Sequence, residues 1–283
     1  MRLSDHEWRR EWPAPAKLNL FLHVVGRRPD GYHLLQTVFR FIDYGDCLRL
    51  VPRDDGELVV ATPIPGVPAG SDLCLRAAQA LRQAAGVADG VTINLTKRLP
   101  MGGGLGGGSS DAATTLMALN HLWGTGLSSA ELQKLGLALG ADVPVFIHGR
   151  TTFAEGIGEK FTDVEPPPAW YLVAVPPVQV PTPEIFRSPS LQRATPPILP
   201  ARWFAGFGAN DLEPVVCTLY PAVAETLAWL SQFGDARMSG SGACCFIGLD
   251  NEAAAQAVLK QLPVGLTGFS ARGLDSHPLL DLT

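Results

Sequence analysis

Residues 100–116 read PMGGGLGGGSSDAATTL, and six of the seven positions from Gly102 to Gly108 are glycine. Glycine is tolerated where φ is positive or where another group must approach the backbone closely. A strand-like segment, VTINLTKRL from Val91, leads into the loop, and a helical pattern follows it. Such a loop has few side chains to block its N–H groups. The first N–H groups of the following helix are unpaired and carry partial positive charge. The combination predicts an anion site, and phosphate is the usual anion. Its residues would be Pro100, Met101, Gly102, Gly103, Gly104, Leu105, Gly106, Gly107, Gly108, Ser109 and Ser110. Ser109 or Ser110 is the expected N-cap. A flexible linker is the plainer alternative, although linkers are rarely bounded so tightly by a strand and a capped helix. No Gly-Lys-Ser/Thr ends the loop, so it is not a Walker A motif. The acidic partner and βαβ spacing of a dinucleotide fingerprint are missing as well.

Asp111 falls in the first turn of the expected helix, where a carboxylate favours the dipole but repels phosphate. It fits either a magnesium ligand, direct or through water, or a capping residue. A second glycine-rich piece, MSGSGACCF, begins at Met238 and reads as a tight turn between strands. Cys244 and Cys245 within it read as small apolar strand residues, with no basic neighbour in sequence to activate a thiol.

These pieces need elements to hold them. AKLNLFLHVV, residues 16–25, alternates with a period of two. Ala16, Leu18, Leu20, Leu22 and Val24 would share one face, and Lys17, Asn19, Phe21, His23 and Val25 the other. GRRPDGYH carries a Pro-Asp-Gly turn signal, and LQTVFRFIDYGDCLRLV continues as strand. Asp72 opens a helical pattern with Leu73, Ala77 and Leu81 on one stripe. Ala112, Ala113, Leu116, Leu119 and Trp123 form another after the glycines. Ser128 and Glu131 fit a capping box ahead of Leu132, Leu135 and Leu139. EPPP at 165–168 and the proline-rich region 176–200 break regular structure. Residues 251–262 look like a late amphipathic helix. No internal repeat is visible. Antiparallel strand patterns mixed with helices predict an α+β fold, with a domain change around residues 150–160.

Length and composition narrow the class. The chain has 283 residues, 46% hydrophobic and 17% charged, enough for a packed core and unlike a disordered chain. A net charge of −5 without a long run of either sign argues against non-specific nucleic-acid binding. Five cysteines, an odd number with no C-x-x-C, argue against a disulfide framework or structural zinc and fit a reducing cytoplasm. MRLSDHEWRREW holds no apolar h-region, so no signal peptide is expected. No stretch is long and apolar enough to span a bilayer.

The glycine segment PMGGGLGGGSSDAA resembles the phosphate loop of the GHMP kinases. Further matches occur in the expected order: APAKLNLFLHVVGRRPDGYHLLQT, GADVPVFIHG, FAEGIGE, PTPEIF and MSGSGACCF. The resemblance covers nearly the whole chain. It implies two α+β lobes with the site in the cleft between them, residues 1–154 forming an ATP-binding part and 155–283 contributing to the substrate site. It implies ATP as phosphoryl donor with Mg2+. Within the family it points to the branch whose acceptor is the C2 hydroxyl of 4-diphosphocytidyl-2-C-methyl-D-erythritol. No obligatory protein partner is implied.

The resemblance also carries roles. Asp142, in LGADVPVF, would be the general base. Its apolar flanks predict partial burial, and a buried carboxylate needs partners. Its residue pattern alone equally fits a cap on the turn before Pro144. Lys17 would be its cationic partner, keeping it ionised; the pattern alone slightly favours an exposed strand lysine. Asn19 matches a substrate-contact position. Tyr32 and Phe186 would sandwich the cytosine ring, His33 would bond its edge, and Thr182 is a further candidate contact. By residue type alone, Tyr32 and His33 could be exposed turn neighbours and Phe186 a core residue, with Thr182 and Pro183 capping and opening a helix. The family often has threonine where this chain has Ser241; the hydroxyl is kept. Three readings stay in play: this kinase, a GHMP kinase for homoserine or mevalonate, and a non-catalytic nucleotide sensor. DGYH and PTPEIF count against the second, and the presence of Lys17 and Asp142 counts against the third.

Overall fold

The computed structural model describes residues 5–282. Residues 1–4, part of the segment searched for a leader, and residue 283 lie outside them. A short helix α1 (Asp5–Trp8) leads into two long strands, β1 (Glu11–Arg27) and β2 (His33–Arg53), paired antiparallel across the Pro-Asp-Gly turn. Next come β3 (Leu58–Val60), α2 (Leu73–Ala85), β4 (Gly90–Thr96), α3 (Gly107–Leu122), α4 (Ser129–Leu139) and α5 (Val143–His148). The rest of the chain supplies β5 (Thr152–Glu155), β6 (Lys160–Asp163), β7 (Trp170–Val175), α6 (Thr182–Arg187), α7 (Glu213–Leu219), α8 (Pro221–Leu230), β8 (Arg237–Met238), β9 (Cys245–Leu249), α9 (Glu252–Leu259) and β10 (Thr267–Leu274). One sheet runs β3-β4-β2-β10-β7-β9-β8, with β1 and β5 also on β2, and β6 on β5. Strand β10 is the seam: it pairs with β2 through Gly273 and Leu274, and with β7 along most of its length.

Two apolar cores lie on either side of that seam. The first packs α2, α3, α4 and α5 against β1, β2 and β4, around Trp12, Phe41, Leu81, Leu116 and Phe146. The second packs α6 to α9 against β7 and β9, around Leu172, Leu212, Val216 and Ile247. Each fully buried side chain of this size contributes ~1.5–3 kcal/mol. The expected helix starts at Asp72 and Ser128 are observed. Asp72 Oδ1 accepts from the Leu75 N–H at 2.9 Å, and Ser128 with Glu131 forms the capping box. The late helix is capped by Asn251.

Three local expectations are corrected. Strand β1 does not alternate cleanly, because its pairing shifts between Asn19 and Leu22. Ala16 and Leu18 pack with Leu99, Leu105 and Phe246, whereas Leu22 and Val24 join the second core. His23 turns away from Lys17 and Asn19 and meets Phe21 edge-on at 5.0 Å. Helix α3 begins earlier than expected, at Gly107, with Gly106 rather than a serine at its N-cap. Asp111 therefore lies in the second turn. Within the proline-rich region, α6 forms a short helix with Pro181 at its N-cap and Thr182 and Pro183 as its first two residues.

Candidate active site

A cavity of about 1000 Å3 opens between the two cores. The glycine segment forms one wall. Gly102, Gly104 and Gly106 all have positive φ, at 66°, 74° and 73°. Their carbonyls, with that of Leu105, are tied down away from a ligand. Ala243 N–H donates to Gly102 O at 3.3 Å and Cys244 N–H to Gly103 O at 3.1 Å. Ser239 Oγ donates to Gly104 O at 2.9 Å, and Lys17 N–H to Leu105 O at 3.0 Å. The segment MSGSGACC thus braces the loop from behind, through two backbone N–H groups and the Ser239 hydroxyl. Cys244 and Cys245 are buried apolar residues there. Burial pushes the Cys244 thiol up to about 12 and raises that of Cys245. Ser110 Oγ donates to Pro15 O at 2.7 Å and fixes α3 to β1. The 16-residue helix α3 aims its unpaired first-turn N–H groups and positive dipole end into the cavity. That arrangement suits an anion.

Beside Gly106 stand Lys17 and Asp142. A Cβ on Gly106 would lie 3.1 Å from Lys17 Cγ and 2.9 Å from Phe146 Cζ, so only glycine leaves room there. Lys17 Nζ lies 3.4 Å from Asp142 Oδ2; the lysine is buried, whereas the Asp142 side chain is 36% exposed. Asp142 occupies the N-cap position of α5, yet its side chain makes no cap bond. It turns to Lys17 and the cavity instead. Lys17 Nζ also donates to Asn19 Oδ1 at 2.5 Å, and Asn19 Nδ2 donates to Thr37 Oγ1 at 2.9 Å. Sequence reading missed Thr37, because nothing but the pairing of β1 with β2 brings it to Asn19.

Asp111 sits behind the loop. Its Oδ2 accepts from Lys97 Nζ at 2.9 Å, and Lys97 also donates to Asp46 at 2.5 Å. Asp46 Oδ1 takes the N–H groups of Arg98 and Leu99 at 2.6 and 2.8 Å, pinning the lead-in to the loop. Burial raises the Asp111 carboxyl to about 7, against the pull of Lys97. The capping role is excluded by its position in α3. No group of three or more His, Cys, Asp or Glu side chains able to hold a metal ion occurs among the described residues. The residues present therefore do not form a protein cage for magnesium.

Tyr32, His33, Thr182 and Phe186 line the same cavity. Tyr32 is 59% exposed. The His33 and Phe186 rings are 4.9 Å apart and tilted by 32°. Thr182 Oγ1 and Ser241 Oγ share a hydrogen bond of 2.6 Å, joining α6 to the glycine turn. All five site residues outside the glycine segment that sequence reading grouped with Lys17 and Asn19 thus reach one cavity.

Comparison with known proteins gives this geometry a family. The GHMP kinases N terminal domain matches residues 72–150, and the GHMP kinases C terminal domain matches residues 198–263. A 4-diphosphocytidyl-2-C-methyl-D-erythritol kinase of Dechloromonas aromatica is 62% identical over 96% of this chain and 100% of its own. The protein of that name from Thiobacillus denitrificans is 59% identical over 95% of this chain and 97% of its own. The chain belongs to the GHMP kinase family. A crystal structure titled 4-(cytidine 5'-diphospho)-2C-methyl-D-erythritol kinase superposes with a TM-score of 0.82 at 35% identity, covering 93% of this chain and 99% of that one. A mevalonate kinase superposes with a TM-score of 0.65 at 16% identity, a likeness of fold alone. The two-lobed GHMP fold is thereby established, and the chain is a small-molecule kinase using ATP. No helix among the described residues is long and apolar enough to cross a membrane.

Proposed function

We propose that the chain transfers the terminal phosphoryl group of ATP to the C2 hydroxyl of 4-diphosphocytidyl-2-C-methyl-D-erythritol. The product is the 2-phosphate, with ADP, on the route to isoprenoid precursors. The observation that carries the reading is the Lys17–Asp142 pair, 3.4 Å apart beside Gly106 at the start of α3. Phosphoryl transfer asks for positioning, charge neutralisation and an oriented nucleophile. Residues 100–110 cradle the ATP phosphates, on the part of the chain that ends near residue 154. Asp142 Oδ2 accepts the proton of the acceptor hydroxyl. Lys17 orients Asp142 at 3.4 Å and faces the developing charge. Asn19, held by Lys17 and Thr37, offers a rigid polar contact to the acceptor. A magnesium ion bound with the nucleotide would supply positive charge against the phosphates, and no carboxylate group among the described residues is placed to hold it alone.

Tyr32 and Phe186 stack on the cytosine, His33 bonds its edge, and Thr182 lies within reach of the same end. Their support is their common position in the cavity and the resemblance of DGYH and PTPEIF. The test is ADP release with magnesium-ATP and four acceptors: the diphosphocytidyl methylerythritol, its precursor lacking the cytidyl group, homoserine and mevalonate. Turnover with the first alone is expected. Turnover with another acceptor would remove the base readers but keep the loop. Binding of ATP with no turnover would turn the reading to a nucleotide sensor. In the same assay Asp142→Asn is expected to lose about 100-fold or more of kcat, the scale of a lost general base, with ATP affinity within a few-fold. Full turnover in that variant would refute the base assignment.

A further inference from the structure

Arg193 lies in the irregular segment after α6 and has no role in the reading above. Its guanidinium makes four bonds at the base end of the cavity. Nη2 donates to Phe186 O at 2.9 Å and to Ser188 O at 2.7 Å, and Nη1 donates to Leu191 O at 2.9 Å. The fourth is unusual: Nε donates to His33 Nε2 at 3.1 Å. A guanidinium has no acceptor and does not lose its proton in proteins. His33 Nε2 must therefore offer a lone pair. The proton of the neutral ring must then sit on Nδ1, since the partner of one ring nitrogen sets the state of the other. Nδ1 has no protein partner among the described residues.

We propose that Arg193 is a positioning residue for base selection: it fixes His33 as an Nδ1–H donor and holds Phe186 beside it. The proposal rests on the acceptor reading given above. Cytosine presents acceptors at N3 and O2 on its pairing edge. Uracil presents a donor, N3–H, where cytosine has N3. A histidine held as an Nδ1–H donor meets cytosine N3 favourably and meets uracil N3–H donor against donor. If His33 were free to swap tautomers, it could present Nε2–H or a bare nitrogen and accommodate either base. A second effect acts in the same direction. Burial, then the positive charges of Arg193 and Arg27, lower the His33 pKa, so the ring stays neutral at working pH. The arginine therefore sets the histidine's proton without touching substrate. Its bond to the Phe186 carbonyl also anchors the stacking ring to the same guanidinium.

The test has two parts. Nitrogen-15 NMR of the wild-type protein, with the His33 signal assigned by its loss in His33→Gln, reads the tautomer directly. The neutral Nδ1–H form is expected at pH 7; an Nε2–H form overturns the proposal. Second, Arg193→Gln is compared with wild type on cytidyl and uridyl forms of the acceptor, with thermal melting to check folding. The cytidyl KM should rise about tenfold, the scale of one lost hydrogen bond, with the ATP KM within twofold. The preference for cytidyl over uridyl should fall by a similar factor. An equal loss on both bases with an unchanged ratio would mean that Arg193 merely braces the segment, and would overturn the proposal. A wild-type protein that shows no base preference would sink the acceptor reading itself. A wild-type preference with an unmoved ratio in Arg193→Gln would sink only the role given to Arg193. Should that variant fail to fold, the wild-type NMR result decides alone.

Discussion

The two ends of the cavity are built by different means. At the loop end the backbone is what is held: the carbonyls of Gly102, Gly103 and Leu105 accept from backbone N–H groups of Ala243, Cys244 and Lys17, and that of Gly104 from the Ser239 hydroxyl. At the base end, side chains do the work. Tyr32 stands 59% exposed, and His33 and Phe186 are held through the one guanidinium of Arg193. The difference suits what each end is proposed to recognise. Phosphate groups need only fixed N–H groups and positive charge, which any backbone supplies once its φ angles are set. A base must be told from other bases, and only placed donors and acceptors do that. The loop end is thus intolerant of added atoms, and the base end is tolerant of them but sensitive to which hydrogen sits where.

The largest effect that would break this contrast lies at Gly104. A Cβ there would be 2.0 Å from Ser239 O, at a φ of 74° that side chains rarely adopt. Gly104→Ala must move the loop or the segment that braces it. Displacements of ~1 Å in a site of this kind cost about 100-fold in rate, and that is the expected loss in kcat/KM for ATP. Gly102→Ala is the control: its nearest neighbour is 3.8 Å away, so only the φ of 66° opposes it. It should lose less than Gly104→Ala in steady-state kinetics. Equal losses would show that backbone conformation, not the close approach to Ser239, governs the loop.

The same contrast explains what the chain reveals before it folds. The loop was legible because glycine is a backbone statement, written in consecutive positions. The strands and the capped helices α2 and α4 were legible from local pattern in the same way. The resemblance named Lys17, Asp142 and the base-end trio residue by residue. The N-cap of α3 was misread because serine beside a helix is ordinarily a cap, and here Gly106 takes that place so that Ser110 can bond Pro15 O. The face of His23 was misread because a bulge leaves no mark on alternation. Arg193 was not legible at all. It lies 160 positions from His33, in a proline-rich stretch with no period, and only the folded chain brings them together. Asp46 was equally silent, although Lys97, three residues ahead of the loop, was a basic residue in a telling place.

The base end sharpens the comparison with a smaller effect. In the proposed stack, Phe186→Ala and Tyr32→Ala each remove one face. Stacking of a base on an aromatic ring is worth ~1–3 kcal/mol, so the cytidyl KM should rise about tenfold or more in each variant. The ATP KM should stay within twofold, since neither ring is among the groups that hold the carbonyls of residues 102–105. Steady-state kinetics with each substrate varied in turn separates the two. An unchanged cytidyl KM in both variants would refute the sandwich. A parallel rise in the ATP KM would show that the two ends are not independent.

The smallest effect on the reaction concerns a histidine that belongs to neither end. His277 is buried near Phe41, its ring edge-on to Phe41 at 5.9 Å. Its Nδ1 accepts from the Leu279 N–H at 3.0 Å, and its Nε2 has no partner. Burial lowers its pKa to about 3. The unfolded chain would bind that proton near pH 6.5. A group whose folded pKa is depressed contributes stability that is present above the unfolded value and lost as pH falls towards the folded one. Melting temperature should therefore decline below pH 6.5, by up to ~1.4 kcal/mol of stability per pH unit from this group. His277→Asn keeps an acceptor for the Leu279 N–H and cannot take the charge, so its decline between pH 6.5 and about 4 should be shallower. The cytidyl KM at pH 7 should not change, because His277 does not border the cavity. Parallel melting curves for the two proteins across that range would mean that His277 does not stay neutral in the fold, and a shifted cytidyl KM would tie this core to the base end after all.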